Sequence, residues 1–315
     1  MSAPLVIQCE ELDDDAAAWL GSRCTLERCP PEDARFASLL RGAAGLVVRT
    51  YTKVNDAMLD AAPSLRVVGR AGVGLDNIDV RACRARGVEV VHTPDANTRA
   101  VVELVTAFLL DALRPRVFLD KALGMPAWRS LRKELLAPRQ LCDLTLGVLG
   151  FGRVGSGIAR VGAAMDMRVL YNDLREIDPA SRHGAEPVEV GELFSRSDVL
   201  TIHIDDRPTN RGFVTAGKLR LLPHGAILVN AARGFVLDAD GVRSWLESDG
   251  SARAFLDVHE PEPFGPDYPP LGLANAHLTP HIGAATATAH RNMSWVVRDV
   301  WRVLQGQAPQ FPAPR

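Results

Sequence analysis

The sequence predicts an α/β protein made of two doubly wound parallel-sheet domains. Two observations carry that prediction. Short, uncharged, β-branched runs alternate with polar helical stretches along most of the chain, the pattern of βαβ units rather than of separate strand and helix blocks. The alternation also restarts. One series ends near residue 91, a long apolar helical stretch follows, and a second series begins at residue 145 in front of a glycine-rich turn. A chain of 315 residues is long enough to build two cores.

In the first series, residues 5–7, 24–26, 46–49, 66–69 and 88–91 read as strands, with helical stretches such as 13–20 and 33–40 between them. This βαβ series makes a parallel sheet covered by helices, and the handedness of such crossovers makes it doubly wound. The loop Ala-Gly-Val-Gly-Leu-Asp-Asn at 71–77 follows the fourth strand, and its glycines let backbone amides approach a ligand at the carboxyl end of the sheet. Residues 97–113 predict a long apolar helix, capped by Asn97 or Thr98 and ended by Pro115, lying between the two domains and connecting them. Residues 126–139, with Trp128, read as a basic irregular connection.

In the second series, strands are expected at 145–149, 168–171, 199–204, 226–231, 254–258 and 277–279. From 284 to 304, Met293, Val296, Val297, Val300 and Val303 recur at helical spacing and form a core stripe that packs back on the first domain. The expected boundaries are therefore 1–98 plus 287–315 for one domain and 99–286 for the other. The last nine residues, rich in proline and glutamine, read as a loose tail.

Composition narrows the function. Hydrophobic residues make up 47%, charged residues 23%, and the net charge is -2. Such a balance offers no basic surface for nucleic acid or an anionic membrane. Cys9, Cys24, Cys29, Cys83 and Cys142 are scattered without metal-type pairing, which reads as reduced thiols of a cytoplasmic protein and no metal site. The chain turns acidic within its first 15 residues and shows no basic, apolar leader. Its longest apolar runs are interrupted by charge, as Asp111 interrupts 108–113, so no bilayer span is expected.

The glycine-rich turn is the first functional signal. Gly150, Gly152 and Gly155 stand in G-x-G-x-x-G spacing between a strand and a helix. The first allows the tight turn, the second lets backbone reach a pyrophosphate, and the third lets helix and strand pack closely. Amides and dipole at the helix start favour the phosphate charge. Asp173 closes the next strand 18 residues beyond Gly155, near the spacing of a carboxylate that holds an adenosine ribose. A glycine turn used only for packing leaves Asp173 unexplained. The carboxylate favours NAD over NADP, while Arg175 nearby works against that preference.

Three ionisable residues each follow a strand of the same series: Arg233, Glu262 and His281. In open α/β sheets, ligands sit beyond the carboxyl ends of the strands. Each residue has a plainer alternative: a capping or surface arginine, a solvated loop acid, a satisfied buried histidine. Beside a dinucleotide they form a complementary set. Arg233 offers a bidentate fork for a carboxylate. His281 offers an imidazole, the side chain best suited to trade a proton near neutral pH. Glu262, if it contacts His281, would favour the imidazolium and orient it.

Taken together, LGFGRVG with YND, NAARG, DVHEPEP and PHIGAAT, in this order and over nearly the whole chain, resemble the D-isomer-specific 2-hydroxy acid dehydrogenases, the family of phosphoglycerate dehydrogenases and hydroxypyruvate and glyoxylate reductases. VVRTYTKV and AGVGLDNID resemble its first domain. The resemblance implies a Rossmann NAD-binding domain and a flavodoxin-like substrate domain, the latter built from both chain ends. It implies an oxidoreductase that moves a hydride between NAD(H) and a small 2-oxo or D-2-hydroxy acid of the hydroxypyruvate, glyoxylate or 3-phosphoglycerate type. Arg233, Glu262 and His281 are then the catalytic set. Cofactor contacts are implied at Gly150, Gly152, Arg153, Val154, Gly155, Asp173, His203, Ile204, Ala231, Ala232, Arg233, Asp257, His281, Gly283 and Ala284. Arg49, Val73 and Gly74 join Arg233 and His281 at the substrate. A cytoplasmic homodimer is also implied. The alternative within the superfamily is an NAD-sensing, corepressor-like interaction protein, disfavoured by the complete catalytic set.

The sequence departs from the family pattern in places. Asp205 and Asp206 replace a usual proline and apolar residue, His259 a usual aromatic, and His92 a usual asparagine. Tyr51 stands where a small residue is common. Val73 occupies the position of the catalytic lysine of phosphite dehydrogenases, which argues against that branch.

Overall fold

A computed structural model describes residues 3–114 and 116–314. Pro115, expected to end the long helix, lies outside the described residues. The strands are β1 Leu5–Gln8, β2 Thr25–Arg28, β3 Ala43–Val48, β4 Val67–Arg70, β5 Glu89–Val91, β6 Thr145–Leu149, β7 Arg168–Asn172, β8 Glu186–Pro187, β9 Val199–Ile202, β10 Ile227–Asn230, β11 Arg253–Leu256 and β12 Ala276–Leu278. By contacts the chain divides into two compact units, Met1–Asn97 with Ala284–Arg315, and Thr98–Gly283.

The first unit carries a five-stranded sheet in the order β2-β1-β3-β4-β5, parallel throughout. This is the flavodoxin-like order, whose reversal lies between β1 and β3. β3 is nearly all buried, as its uncharged run Ala-Ala-Gly-Leu-Val-Val requires. The returning C-terminal segment forms two helices, Ala287–Ser294 and Val297–Leu304. Val297 and Val300 are fully buried. A Cβ placed on Gly69 of β4 would stand 2.4 Å from the Val300 side chain, so the last helix lies directly on the strand because that position is glycine.

The second unit carries a seven-stranded parallel sheet in the order β12-β11-β10-β9-β6-β7-β8. Order reverses between β6 and β9, the Rossmann arrangement with a further strand at one edge. β9 and β10 are buried at every position, the expected signature of central parallel strands. The long helix is Thr98–Leu113, and its Val101, Val105, Phe108 and Leu109 join the core of this unit. Among the described residues no helix is long and apolar enough to cross a membrane.

Three local readings are corrected. Residues 126–139 do not form an irregular connection: Met125–Glu134 is a helix capped by Gly124, with proline in its first turn and Arg132 and Lys133 in its last. Those are favourable end residues, but the helix buries no residue, so no apolar stripe announced it. β8 went unread because it is two exposed residues ending in proline at the sheet edge. The C-terminal tail is not loose. The Gln310 and Phe311 amides donate to the buried Asp299 carboxylate at 2.8 Å each, and the Ala313 amide donates to the Val90 carbonyl at 2.7 Å.

Candidate active site

In the second unit each glycine of the turn has a separate job. Gly150 ends β6 with φ 91°, and a Cβ there would stand 2.6 Å from the His203 carbonyl oxygen and 2.9 Å from the Ile204 amide. It therefore lets the exits of β6 and β9 meet. A Cβ on Gly155 would stand 2.0 Å from the Gly150 carbonyl, so only glycine lets the helix Arg153–Ala164 start this close to the strand. Around Gly152, which caps that helix, nothing lies within 4 Å of an added Cβ. That is an open approach to the first amides of the helix, those of Arg153, Val154 and Gly155. The residues present fit a dinucleotide pyrophosphate.

Asp173 follows β7, and its Oδ2 accepts the Phe151 amide at 2.7 Å. Burial pushes its carboxyl up, but hydrogen bonds from Arg175 and the Phe151 amide outweigh that and hold it below the usual carboxylate range. His203 follows β9 with its Nε2 2.8 Å from Thr201 Oγ1. Burial pushes its ring well down, so it stays neutral.

Arg233 follows β10 on a turn built by the fully buried Asn230. Asn230 Nδ2 donates to the Arg233 carbonyl at 2.9 Å and its Oδ1 accepts the Ala232 amide at 3.1 Å. The next residue, Gly234, lies against the His259 backbone, where a Cβ would stand 2.0 Å from the carbonyl oxygen. The exits of β10 and β11 thus touch, which places the Arg233 turn beside the segment that carries Glu262.

Glu262 and His281 meet directly. His281 Nδ1 lies 2.7 Å from Glu262 Oε2, and Glu262 Oε1 accepts the His259 amide at 2.7 Å. An ionised carboxylate only accepts, so Nδ1 carries the hydrogen and Nε2 is the nitrogen left to exchange a proton. Burial pushes the Glu262 carboxyl up, but the His281 and His259 hydrogen bonds overcome it and keep the group below its ordinary value. His281 itself sits at φ 54°, the left-handed region. For a histidine this costs on the order of 1 kcal/mol.

Asp257, 1% exposed, holds that geometry. Its Oδ1 accepts the Thr279 hydroxyl at 2.6 Å and the Ile282 amide at 2.8 Å, and its Oδ2 accepts the Gly283 amide at 2.8 Å. Buried His259 assists: Nε2 donates to the Thr279 carbonyl at 2.9 Å, leaving Nδ1 to accept from the Tyr268 hydroxyl at 3.3 Å. Sequence reasoning gave Asp257 only a cofactor contact and His259 no role. Both act through contacts with residues some twenty positions away.

A first consequence concerns Glu262. Glu262→Gln keeps the shape and removes the charge, and is expected to lower kcat about tenfold, the difference between a charged and a neutral hydrogen bond. NADH affinity should stay unchanged in a fluorescence titration. In the wild type the depressed carboxyl stays ionised through the usual carboxylate range, so the loss of activity that comes from protonating Glu262 is expected only below that range.

The first unit holds Arg49, Val73 and Gly74. Arg49 is half-buried and its Nη1 donates to the Glu11 carbonyl at 3.2 Å. The loop it begins is folded around Glu10, whose carboxylate accepts the amides of Arg49, Thr50 and Thr52 at 2.9, 2.9 and 3.0 Å and that of Tyr51 at 3.2 Å. Asn77 Nδ2 closes the loop by donating to the carbonyls of Arg49 at 3.0 Å and Thr52 at 2.7 Å. Tyr51 is 85% exposed, so the loop presents it outward. Among the described residues the Val73 and Gly74 amides have no hydrogen-bond partner, and the Val73 carbonyl accepts from His92 Nδ1 at 2.9 Å. Glu10 was missed because its four partners lie about forty residues away.

Glu10 also makes a stability test. Burial raises its carboxyl, but the four amides win and lower it. A depressed folded value means stability present above the unfolded value of about 4.3 and lost as pH falls through the folded one. Glu10→Gln is expected to cost about 1–2 kcal/mol at pH 7, discounted for partial exposure. Thermal unfolding at pH 7 and pH 3 should show that difference shrinking in acid.

Comparison with known proteins gives the family. The family profile described as the NAD binding domain of D-isomer specific 2-hydroxyacid dehydrogenases matches residues 106–283. A D-3-phosphoglycerate dehydrogenase of Archaeoglobus fulgidus is 36% identical over 81% of this chain, which covers 48% of that protein. The chain thus spans about half the length of such relatives. A glyoxylate reductase of Aeropyrum pernix is 33% identical over 89% of this chain and 85% of its own. Among solved structures, a D-lactate dehydrogenase from Aquifex aeolicus, complexed with NAD and lactic acid, superposes with a TM-score of 0.81 at 26% identity over 96% of both chains. A seven-stranded Rossmann unit with this glycine turn, a profile covering more than half the chain and a relative above 30% identity matched over 85% of its length agree: the chain belongs to the D-isomer specific 2-hydroxyacid dehydrogenase family and carries its NAD-binding domain.

Proposed function

We propose that this protein reduces small 2-oxo acids to D-2-hydroxy acids with NADH, and runs the reverse oxidation with NAD. The observation that carries the reading is the 2.7 Å contact between His281 Nδ1 and Glu262 in the unit that holds the Gly150–Gly155 turn. When bound, the cofactor supplies or accepts the hydride. His281 protonates the carbonyl oxygen in reduction and takes the proton back in oxidation. Glu262 stabilises the charged imidazole, and Asp257 fixes the backbone that presents it. Arg233 is the carboxylate-binding fork of the second unit; in the first unit the Val73 and Gly74 amides, with Arg49 near that loop, are the groups read as substrate contacts. Gly150, Gly152, Arg153, Val154 and Gly155 cradle the pyrophosphate, Asp173 faces the ribose, and the backbones at His203, Ile204, Ala231, Ala232, Gly283 and Ala284 line the rest.

The glyoxylate reductase and D-3-phosphoglycerate dehydrogenase relatives support glyoxylate and 3-phosphoglycerate as members of the substrate class. A homodimer fits an exposed apolar segment of the second unit, where Phe118 is 87% and Leu136 79% exposed and Val117, Leu119, Met125 and Trp128 are also uncovered. The cytoplasm suits the five free cysteines. The test is an optical assay of NADH oxidation against glyoxylate, hydroxypyruvate, pyruvate and 3-phosphohydroxypyruvate. Turnover of at least one is expected. No turnover of any, by a protein that binds NADH tightly, contradicts the reading.

A further inference from the structure

Asp173 stands where a ribose diol is to be held, yet its carboxylate is already full. Oδ1 accepts the Arg175 amide at 2.8 Å and Arg175 Nε at 3.1 Å, while Oδ2 accepts the Phe151 amide at 2.7 Å and Arg175 Nη2 at 3.3 Å. A carboxylate offers about four lone-pair sites, so all are occupied. Two of these donors are backbone amides and stay in place. The other two belong to one guanidinium, which also donates through Nη2 to the Phe151 carbonyl at 3.2 Å. The Asp173 side chain is 11% exposed and that of Arg175 65% exposed. An exposed cation therefore covers a mostly buried acid.

Two consequences follow from simple electrostatics. A ribose diol gains Asp173 only by displacing Arg175, so the acid's preference for a free diol is weakened. The charge that ordinarily repels a 2′-phosphate is neutralised where it stands. A second pair adjoins: Arg207 Nε contacts Asp205 Oδ1 at 2.8 Å and Oδ2 at 2.9 Å, and Arg207 is near enough to act electrostatically on Arg175. Asp205 is one of the residues that depart from the family pattern.

We propose that Arg175 sets the 2′-specificity of this site. It blunts the hold of Asp173 on a free ribose diol and, once displaced, takes a 2′-phosphate, so that the site accepts NADP(H) beside NAD(H). The proposal rests on the NAD reading of the glycine turn. Arginine suits the role because its planar fork pairs with carboxylate or phosphate alike.

Fluorescence titration of the full-length protein with NADH and with NADPH tests it without turnover. In the wild type the two dissociation constants should lie within about tenfold of each other. Arg175→Ala should weaken NADPH by at least about tenfold, the loss of one charge-assisted pair, and leave NADH unchanged or tighter. Arg175→Lys should restore part of the NADPH binding. The proposal is overturned by a wild type that binds NADH but not NADPH at a hundredfold higher concentration. It is equally overturned if Arg175→Ala weakens both cofactors alike. A wild type that binds neither dinucleotide removes the NAD reading itself, and this proposal with it.

Discussion

Replacing His281 with alanine is expected to lower kcat for 2-oxo acid reduction by about a thousandfold, within the range that positioned proton transfer contributes. The residue is the only side chain the structure pairs with Glu262 through an ionisable ring, at 2.7 Å, among the described residues. Its loss leaves the carbonyl oxygen to take its proton from water. NADH binding should persist, because the glycine turn and Asp173 do not involve the imidazole. Steady-state kinetics and an NADH titration on the same preparation separate the two effects. If kcat falls less than about tenfold, His281 is not the proton donor.

Arg233→Ala is expected to cost about 100- to 1000-fold in kcat/KM, the scale of removing one side of a hydrogen-bonded charge pair. Most of the loss should appear in KM for the 2-oxo acid. Arg233→Lys should recover little, because a point charge does not reproduce the fork. The turn that presents Arg233 is built by Asn230 and packed against the His259 backbone through Gly234. The fold should therefore survive the substitution. A variant with wild-type KM for every 2-oxo acid would remove Arg233 from the substrate site.

How much of this was legible in the chain depends on what each residue does. Gly150 and Gly155 were legible because the demand is local: a left-handed turn at one, a 2.0 Å backbone approach at the other, and only glycine satisfies either. The Glu262–His281 pair and the place of Arg233 after β10 were legible because each follows a strand, and parallel sheets gather such positions at one end. That both sheets are parallel and helix-covered followed from the alternation of elements and the handedness of crossovers.

Other features were not legible because their cause lies elsewhere in the sequence. Glu10 collects the amides of residues 49–52. Asp257 grips the backbone that carries His281. The C-terminal tail is fixed by Asp299 and Val90. No periodicity encodes a side chain that binds a distant backbone. The helix Met125–Glu134 and β8 lacked a buried face, so the strongest secondary-structure signal was absent from both.

Transfer of label from NADH deuterated at the nicotinamide C4 addresses the proposed chemistry most directly. The protein is incubated with this cofactor and hydroxypyruvate or glyoxylate, and the product is analysed by mass spectrometry and chiral chromatography. Deuterium should appear at C2 of the hydroxy acid, one per NADH oxidised, and where C2 is a stereocentre the product should be the D enantiomer. NADH consumed without label at C2, or an L product, contradicts hydride transfer to the carbonyl face set by Arg233 and His281.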